Sequence, residues 1–286
     1  MTPAQTPLPF TATPETIPSL LPTSTTGIET APAFLIGFPF ALPIALPGRD
    51  TIDGSYRFGA TQGGTREPHR GVEFLNSFGT PVLAAAPGSV LFAGNDFNGS
   101  PYTPPGYFAF YGYFVILEHP LPGLAEPVYS LYAHLSEVLA VAGDEVAAGT
   151  PLGLIGFSGA AVGSHLHFEV RYGGLTYAEA SNPELWLKPH PANGSLAGSI
   201  RDAQGRELPV FSLEISRVDG TGPIYYLTTY EEPALAYRSP YFENFALGDL
   251  PSGMYQIAFV ADQIERRLVE VRAGELSFLD ILIGDG

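Results

Sequence analysis

The chain has no cysteine, few basic residues and no long uninterrupted apolar run, and each absence excludes a class of protein. Without cysteine, neither a disulfide framework nor a thiolate zinc site can form, and this sequence offers no cysteine for a lipid anchor. Thirteen basic against 29 acidic side chains give a net charge of −16. This balance excludes nucleic acid and anionic lipid as partners, because both need a basic surface.

An integral membrane span is not predicted anywhere in the sequence. The apolar stretch at residues 33–46 is interrupted by Pro39 and Pro43 and is shorter than the ~20 residues that a bilayer requires. We therefore predict that it forms an edge strand or lies over the core.

The first 30 residues show no basic start, apolar stretch and cleavage site in the order of a signal peptide. Half of them are threonine or proline, which predicts a disordered stalk at residues 1–32. Such a stalk is typical of an exported protein whose leader has been removed, so we expect an extracellular or cell-envelope location. The alternative is a disordered terminus on a cytoplasmic protein.

The rest of the sequence predicts an all-β fold. Short segments rich in Val, Ile, Tyr and Phe alternate with Gly and Pro, and no window keeps a 3.6-residue apolar period. The one helical segment that we predict starts at Pro183, with Asn182 as its cap. Two prolines and an Asn-Gly pair within residues 188–195 predict a linker, placed at residues 190–195, followed by a second β-rich region over residues 196–286.

Two segments of the first β-rich region carry the chemistry. In a strand starting at His165, alternation places His165, His167 and Glu169 on one face and apolar residues on the other. In the upstream segment, His69 and Glu73 share a face in a strand or a helix, and the glycine between them leaves space. Imidazoles and a carboxylate are the ligands of a catalytic zinc site, which keeps its fourth position for water.

A third segment strengthens this hypothesis. Residues 129–135 read as a strand that ends at His134, followed by a glycine-rich turn that returns the chain toward residue 159. We interpret His119 as a strand-end surface residue and His190 as a linker residue without a catalytic role. The aromatic segment at residues 95–112 is predicted to form one wall of a substrate groove, and simple packing of a loop is the alternative.

At this point residues 56–187 resemble the lysostaphin/LytM-type zinc endopeptidases of bacterial cell walls. The resemblance rests on the order of several short motifs: His69-x-Gly71-x-Glu73, Gly79-Thr80-Pro81, Ala86-x-Gly88, Tyr132-x-His134-Leu135, Gly149-x-x-Leu152-Gly153, Ser158-Gly159, His165-Leu166-His167-Phe168-Glu169 and Asn182-Pro183. It implies an antiparallel β-sheet groove domain over residues 33–189. It also implies a zinc-dependent endopeptidase that cuts peptides of peptidoglycan.

The resemblance also assigns roles to single residues. It implies that His69, Glu73 and His167 bind Zn²⁺, and that His134 and His165 are the catalytic acid and base beside the activated water. Glu169 is predicted to orient a ligand imidazole from behind, and a solvated or salt-bridged carboxylate is the alternative.

Glu73 departs from the family pattern, because the usual ligand at that position is aspartate. Glutamate is an accepted zinc ligand, so we expect activity. The alternative is a non-catalytic wall-binding or regulatory module that keeps the fold, and a further reading is a zinc hydrolase of other proteins. Residues 196–286 resemble carboxypeptidase-regulatory-like sandwich domains of the Ig/transthyretin type, carried by residues 198–202, Gly205 and residues 247–255. The accessory domain is expected to act as a spacer or to bind wall or protein.

Overall fold

A computed structural model of the protein describes residues 37–284, so the predicted stalk at residues 1–32 lies outside the described residues. The strands are β1 (Val72–Leu75), β2 (Pro81–Leu83), β3 (Gly88–Asn95), β4 (Tyr113–His119), β5 (Val128–Val138), β6 (Glu145–Val146), β7 (Pro151–Ile155), β8 (His165–Tyr172), β9 (Ala180–Ser181), β10 (Asn193–Asp202), β11 (Ser212–Arg217), β12 (Tyr225–Thr228), β13 (Phe245–Pro251), β14 (Gly253–Val260), β15 (Ile264–Val271) and β16 (Leu276–Ile283).

Helical structure in this part of the chain is confined to short 3₁₀ helices at Tyr177–Glu179, Pro183–Leu185 and Pro233–Arg238. The second is the predicted one, because the Asn182 side chain accepts a hydrogen bond from the Glu184 N–H and Pro183 begins the helix. Among residues 37–284, no helix has the length and apolar character to cross a bilayer. The all-β fold class is confirmed.

Strands β1 to β9 form one antiparallel sheet. Its main path runs β1-β8-β5-β4-β3-β6, and β2, β7 and β9 are attached to this path. On β8, which pairs with β1 and β5, Leu166, Phe168 and Val170 belong to the main apolar cluster. The alternate residues His165 and His167 line a groove on the opposite side, which confirms the alternation predicted from the sequence.

The segment before the sheet lies over its core, as the prolines in it predicted. Phe40 forms a bridge with Leu187, and Ile44 forms one with Val82. Phe40 is fully buried and packs against the Phe168 and Trp186 rings. This segment therefore closes the side of the sheet that faces away from the groove.

The C-terminal region (residues 193–284) contains two further sheets. One has the order β13-β10-β16, the other β12-β11-β14-β15, and both contribute to one apolar cluster. β10 pairs with β16 in parallel. β10 begins at Asn193, inside the segment predicted as a linker, and its Ala197 belongs to the cluster of the N-terminal sheet. The domain boundaries and the resemblance to carboxypeptidase-regulatory-like domains stay predictions.

His119 departs from its sequence interpretation. His119 is buried, and its ring nitrogens contact the Pro87 carbonyl at 2.8 Å and Ser130 Oγ at 2.7 Å. Burial lowers the pKa of His119 to about 4, so a neutral ring fits this site. The surface role was wrong because the strand end is covered by neighbouring chain. His190 contacts Asp249 at 2.7 Å and Asp50 at 3.2 Å.

His134 does not end its strand. β5 continues to Val138, and His134 interrupts it with a φ of 62°, while its N–H donates to the Tyr111 carbonyl. Strict alternation would place the His134 ring on the same face as Tyr132, which packs in the core. The left-handed backbone turns the ring toward the groove instead. Such backbone strain in a non-glycine residue is typical of functional positions.

Candidate metal centre

The pairing of β1 with β8 brings two of the predicted ligands together. Glu73 lies directly opposite His167 in the strand register, and His165 lies opposite Leu75. His69 precedes β1 and is held by the backbone, since its N–H donates to the Ala60 carbonyl at 3.0 Å. Residues 98 positions apart in sequence therefore meet at one edge of the sheet.

The three predicted ligands converge on one point. Glu73 Oε1 lies 2.9 Å from His69 Nε2 and 3.0 Å from His167 Nδ1, and the two nitrogens are 3.3 Å apart. Two atoms that bind one zinc ion tetrahedrally at ~2.0–2.1 Å lie about 3.3 Å from each other. Glu73 Oε2 is buried and makes no aligned hydrogen bond, although His165 Nε2 lies 3.2 Å away. The spacing and the unsatisfied oxygen both fit a tetrahedral metal ion with these ligands.

The other ring nitrogen of each ligand histidine is anchored. His167 Nε2 lies 3.0 Å from Glu169 Oε1, and His69 Nδ1 lies 3.3 Å from the Arg57 carbonyl oxygen. Both acceptors take an N–H, so in the neutral rings the facing nitrogens, His167 Nδ1 and His69 Nε2, carry the lone pairs. Partners of this kind fix the tautomer and orientation of a ligand imidazole.

A glycine keeps the centre open. A Cβ on Gly71 would lie 2.6 Å from the Phe168 carbonyl oxygen and 2.7 Å from His167 Cε1. Contacts that short do not occur between real side chains, so only glycine lets β1 approach the His167 ring. The space that the sequence predicted beside Gly71 is occupied by this ring.

The charges at the centre favour a cation. Burial alone would raise the pKa of Glu73, but His167 and His69 hold it well below its ordinary value. Burial also disfavours the charged form of His69, and it lowers the pKa of this histidine. For His167, the lowering by burial is outweighed by Glu73 and Glu169, which raise its pKa to about 10. A positive charge between these groups is therefore stabilised, and a bound divalent ion would supply it.

The two histidines that are not candidate ligands flank the centre. His134 Nδ1 contacts the Ser158 carbonyl oxygen at 2.9 Å, and His165 Nδ1 contacts that of Gly163 at 3.0 Å. Nε2 is then the free nitrogen of each ring, and His165 Nε2 lies 3.2 Å from Glu73 Oε2. Burial, followed by the nearby His167, lowers the pKa of His134 to about 3. The structure thus brings together the five residues predicted as zinc ligands or catalytic groups.

The sequence interpretation missed the buried partner of Glu169. Arg171 is fully buried and donates from Nε to Glu169 Oε2 at 2.9 Å, and it also donates to Tyr111 Oη at 2.9 Å. Tyr111 in turn donates to Glu169 Oε1. Burial alone would raise the pKa of Glu169, but Arg171 and His167 hold it at about 2. The available signal was the i, i+2 spacing of Glu169 and Arg171 on one strand face.

A groove of about 730 Å³ runs over the centre. From the predicted aromatic wall, Tyr107 and Phe110 line it, whereas Tyr102 packs against Phe92 instead. Other lining residues went unnoticed in the sequence: Tyr56, Arg66, Arg70 and Tyr177. The Tyr56 ring stacks on the His69 ring, with 3.9 Å between centroids.

Comparison with known proteins agrees with this geometry. Residues 67–183 match the profile of Peptidase family M23. An "Uncharacterized metalloprotease" of Haemophilus influenzae is 33% identical over 131 residues, which is 46% of this chain and 23% of that protein. The murein hydrolase activator NlpD of Escherichia coli is 32% identical over 130 residues, 46% of this chain and 28% of that protein.

A third relative is named as an enzyme. The peptidoglycan DD-endopeptidase ShyA of Vibrio cholerae is 32% identical over 103 residues, 36% of this chain and 20% of that protein. The matched segment covers about a quarter of the length of these relatives.

Proposed function

Because residues 67–183 form a peptidase M23 domain of the LytM/lysostaphin type, we propose that the protein is a zinc-dependent endopeptidase of bacterial peptidoglycan. The observation that carries this proposal is the convergence of His69 Nε2, Glu73 Oε1 and His167 Nδ1 within 3.3 Å of one another. Two further imidazoles stand beside these atoms in the same groove. A purely structural cluster would not require five such groups in one place.

The chain's own residues supply the proton transfers of amide hydrolysis. A zinc ion bound by His69, Glu73 and His167 would polarise the scissile carbonyl and activate a water molecule. His134 and His165 each have Nε2 free, and a neutral imidazole can accept the water's proton and return it to the leaving amine. The second imidazole can donate a hydrogen bond to the oxygen that gains charge. The carbon–nitrogen bond then breaks with the proton on nitrogen.

The names of two relatives support this substrate class. One is an activator of murein hydrolases and one is a peptidoglycan DD-endopeptidase, and an enzyme of that polymer works at the cell envelope or outside the cell. The groove is open, and its volume of about 730 Å³ is large enough for part of a peptide chain. Other proteins are the competing substrate class, because anionic wall polymers would not attract a chain with a net charge of −16.

The test uses the purified protein and insoluble peptidoglycan. We expect stoichiometric zinc by metal analysis and release of stem-peptide fragments detected by mass spectrometry, with loss of release after chelation and recovery on adding zinc. His134→Ala and His165→Ala should keep zinc and lose release. A Gly-rich peptide and casein, digested in parallel, separate wall peptides from general proteins. Zinc-loaded protein that releases no peptide from any wall preparation would contradict the proposal.

A regulatory role without catalysis is the second candidate, and two observations favour it: the activator relative and the glutamate at position 73. Glu73→Asp distinguishes the two. In an active site built for glutamate, the shorter side chain withdraws from both imidazoles, and zinc should bind at least ~10-fold more weakly, about 1.4 kcal/mol. A gain of zinc affinity or of peptide release in Glu73→Asp would instead indicate a decayed site.

A further inference from the structure

We propose that the C-terminal region positions the ligand His69, and that Tyr230 and Glu232 are the residues through which it does so. The inference rests on the proposed function, in which His69 binds zinc. It assigns the region a place in the metal centre, in addition to any binding role. The argument follows the contacts from the ligand outward.

Residues 57–60 hold His69 from three directions. The Gly59 N–H donates to the His69 carbonyl oxygen at 2.8 Å, and the His69 N–H donates to the Ala60 carbonyl oxygen at 3.0 Å. The Arg57 carbonyl oxygen lies 3.3 Å from His69 Nδ1. Since both the backbone and the ring of His69 are fixed by this short segment, a displacement of the segment displaces the ligand.

Tyr230 covers the same segment from the C-terminal region. Its ring meets the Phe58 ring edge to face with 5.3 Å between centroids. A Cβ on Gly59 would lie 2.6 Å from Tyr230 Cδ1, so no space remains between this ring and the backbone. Tyr230 is 3% exposed and forms a cluster with Phe58, Ala180 and Leu235. The segment that holds His69 is therefore packed against another part of the fold.

Tyr230 is itself anchored at both ends. Its hydroxyl accepts a hydrogen bond from Asn182 Nδ2 at 2.9 Å and donates to Glu243 Oε1 at 3.1 Å. Its backbone N–H donates to the Asn244 carbonyl oxygen at 2.8 Å. Because these contacts hold the Tyr230 ring in place, the ring in turn restricts the position of Phe58 and Gly59.

A second arm reaches the residue next to the ligand. Glu232 Oε2 pairs with Arg70 at 2.5 Å, and the Arg70 guanidinium lies over the Tyr177 ring at 5.2 Å. Arg70 is buried, so removal of the Glu232 carboxylate would leave the buried guanidinium without this opposite charge. A further brace on the same side runs from Arg57 through Glu184 to the Gly248 N–H. The flanks of His69 thus depend on residues more than 100 positions away.

The test measures zinc affinity with a competing chelator and the visible spectrum of the cobalt-substituted protein. Tyr230→Ala should weaken zinc binding ~10- to 100-fold, the range for loss of a residue that supports a ligand, and should alter the cobalt spectrum. Tyr230→Phe keeps the ring and should restore most of the affinity. Tyr226→Ala, which removes a tyrosine that is 71% exposed in the same region, is the matched control and should leave both readouts unchanged.

Glu232→Ala keeps the proposal testable if Tyr230→Ala fails to fold. The Glu232 carboxylate is partly exposed, so the variant should fold. Glu231→Ala, at the exposed neighbouring residue, is the control, and we expect Glu232→Ala to bind zinc more weakly than this control. Zinc affinity and cobalt spectra that stay unchanged in the folded variants, with only thermal stability reduced, would overturn the positioning role. Unaltered protein that binds zinc yet cleaves no wall peptide would contradict the proposed function alone, because the zinc readout still tests the support.

Discussion

Arg171 is a buried cation whose charge is used inside the N-terminal sheet. It pairs with Glu169 and also donates to the Tyr102 carbonyl oxygen at 2.9 Å and to that of Leu175. Because Arg171 keeps Glu169 ionised, Glu169 can accept the N–H of His167 and leave its other nitrogen for the metal. One side chain therefore connects the proposed ligand His167 with two loops that border the groove.

We predict that Arg171→Met destabilises the fold by about 3–5 kcal/mol, because it leaves the Glu169 carboxylate buried without its partner. Zinc affinity should fall as well, since a protonated Glu169 accepts only a weaker hydrogen bond from His167. Urea denaturation and chelator competition measure the two effects.

The control for this prediction is the double variant Glu169→Gln/Arg171→Met, which removes both charges. It should recover much of the lost stability, because no uncompensated charge remains. Equal stability of Arg171→Met and the unaltered protein would show that water reaches Glu169 and that the Glu169–Arg171 pair does not stabilise the fold.

Strand pairing decides the geometry of the centre at the level of elements. β1 contributes only four residues, but its register against β8 places Glu73 opposite His167. The close approach of the two strands requires the missing side chain at Gly71. A bulge in β5 then adds His134 to the same face. Three neighbouring strands thus supply four of the five side chains of the site.

Gly71→Ala tests the strand approach. The added methyl group meets the Phe168 backbone and the His167 ring, and overpacking of this kind costs about 1–3 kcal/mol. We expect a lower midpoint of thermal unfolding and weakened zinc binding, because the His167 ring must move. Gly54→Ala is the control, since its new Cβ would meet only the Arg57 side chain, at 3.4 Å. Full zinc affinity in Gly71→Ala would show that β1 can shift without loss of the ligand geometry.

The molecule as a whole is acidic, and one of its carboxyl groups is buried where the C-terminal region meets the N-terminal part of the fold. Glu243 is fully buried beside Tyr230, and one of its oxygens has no hydrogen-bond partner. Burial raises the pKa of Glu243 from 4.5 to about 8. The folded protein therefore holds this proton more tightly than the unfolded chain does.

The sign of the resulting pH dependence follows from linkage. The stability that Glu243 contributes is fully present below pH 4.5, declines as the unfolded chain ionises, and is lost once the pH passes about 8. We predict that Glu243→Gln reduces, by a few kcal/mol, the stability that is lost between pH 5 and pH 9, because the amide cannot ionise. Denaturant titrations of both proteins at pH 5, 7 and 9 measure the difference. Parallel curves across this range would contradict the prediction.

Much of the site could be predicted because it is written in local patterns. Alternation in the segment from His165 to Glu169 separated groove residues from core residues without knowledge of the fold. Alternation by itself would not orient His134, because its left-handed backbone changes the direction of the ring. The surface position predicted for His119 was wrong, because its burial depends on Pro87 and Ser130 from other segments.

Residue types and their local order define the available chemistry: an all-β chain without cysteine, in which imidazoles and carboxylates are the strong candidates for zinc ligands. Which of these groups meet, and what holds them in place, depends on how the chain folds. Glu169 acquired Arg171, and the His69 segment acquired Tyr230, through contacts between parts of the chain far apart in sequence. Local patterns encode which face a side chain takes, but burial and partners arise when distant segments pack together.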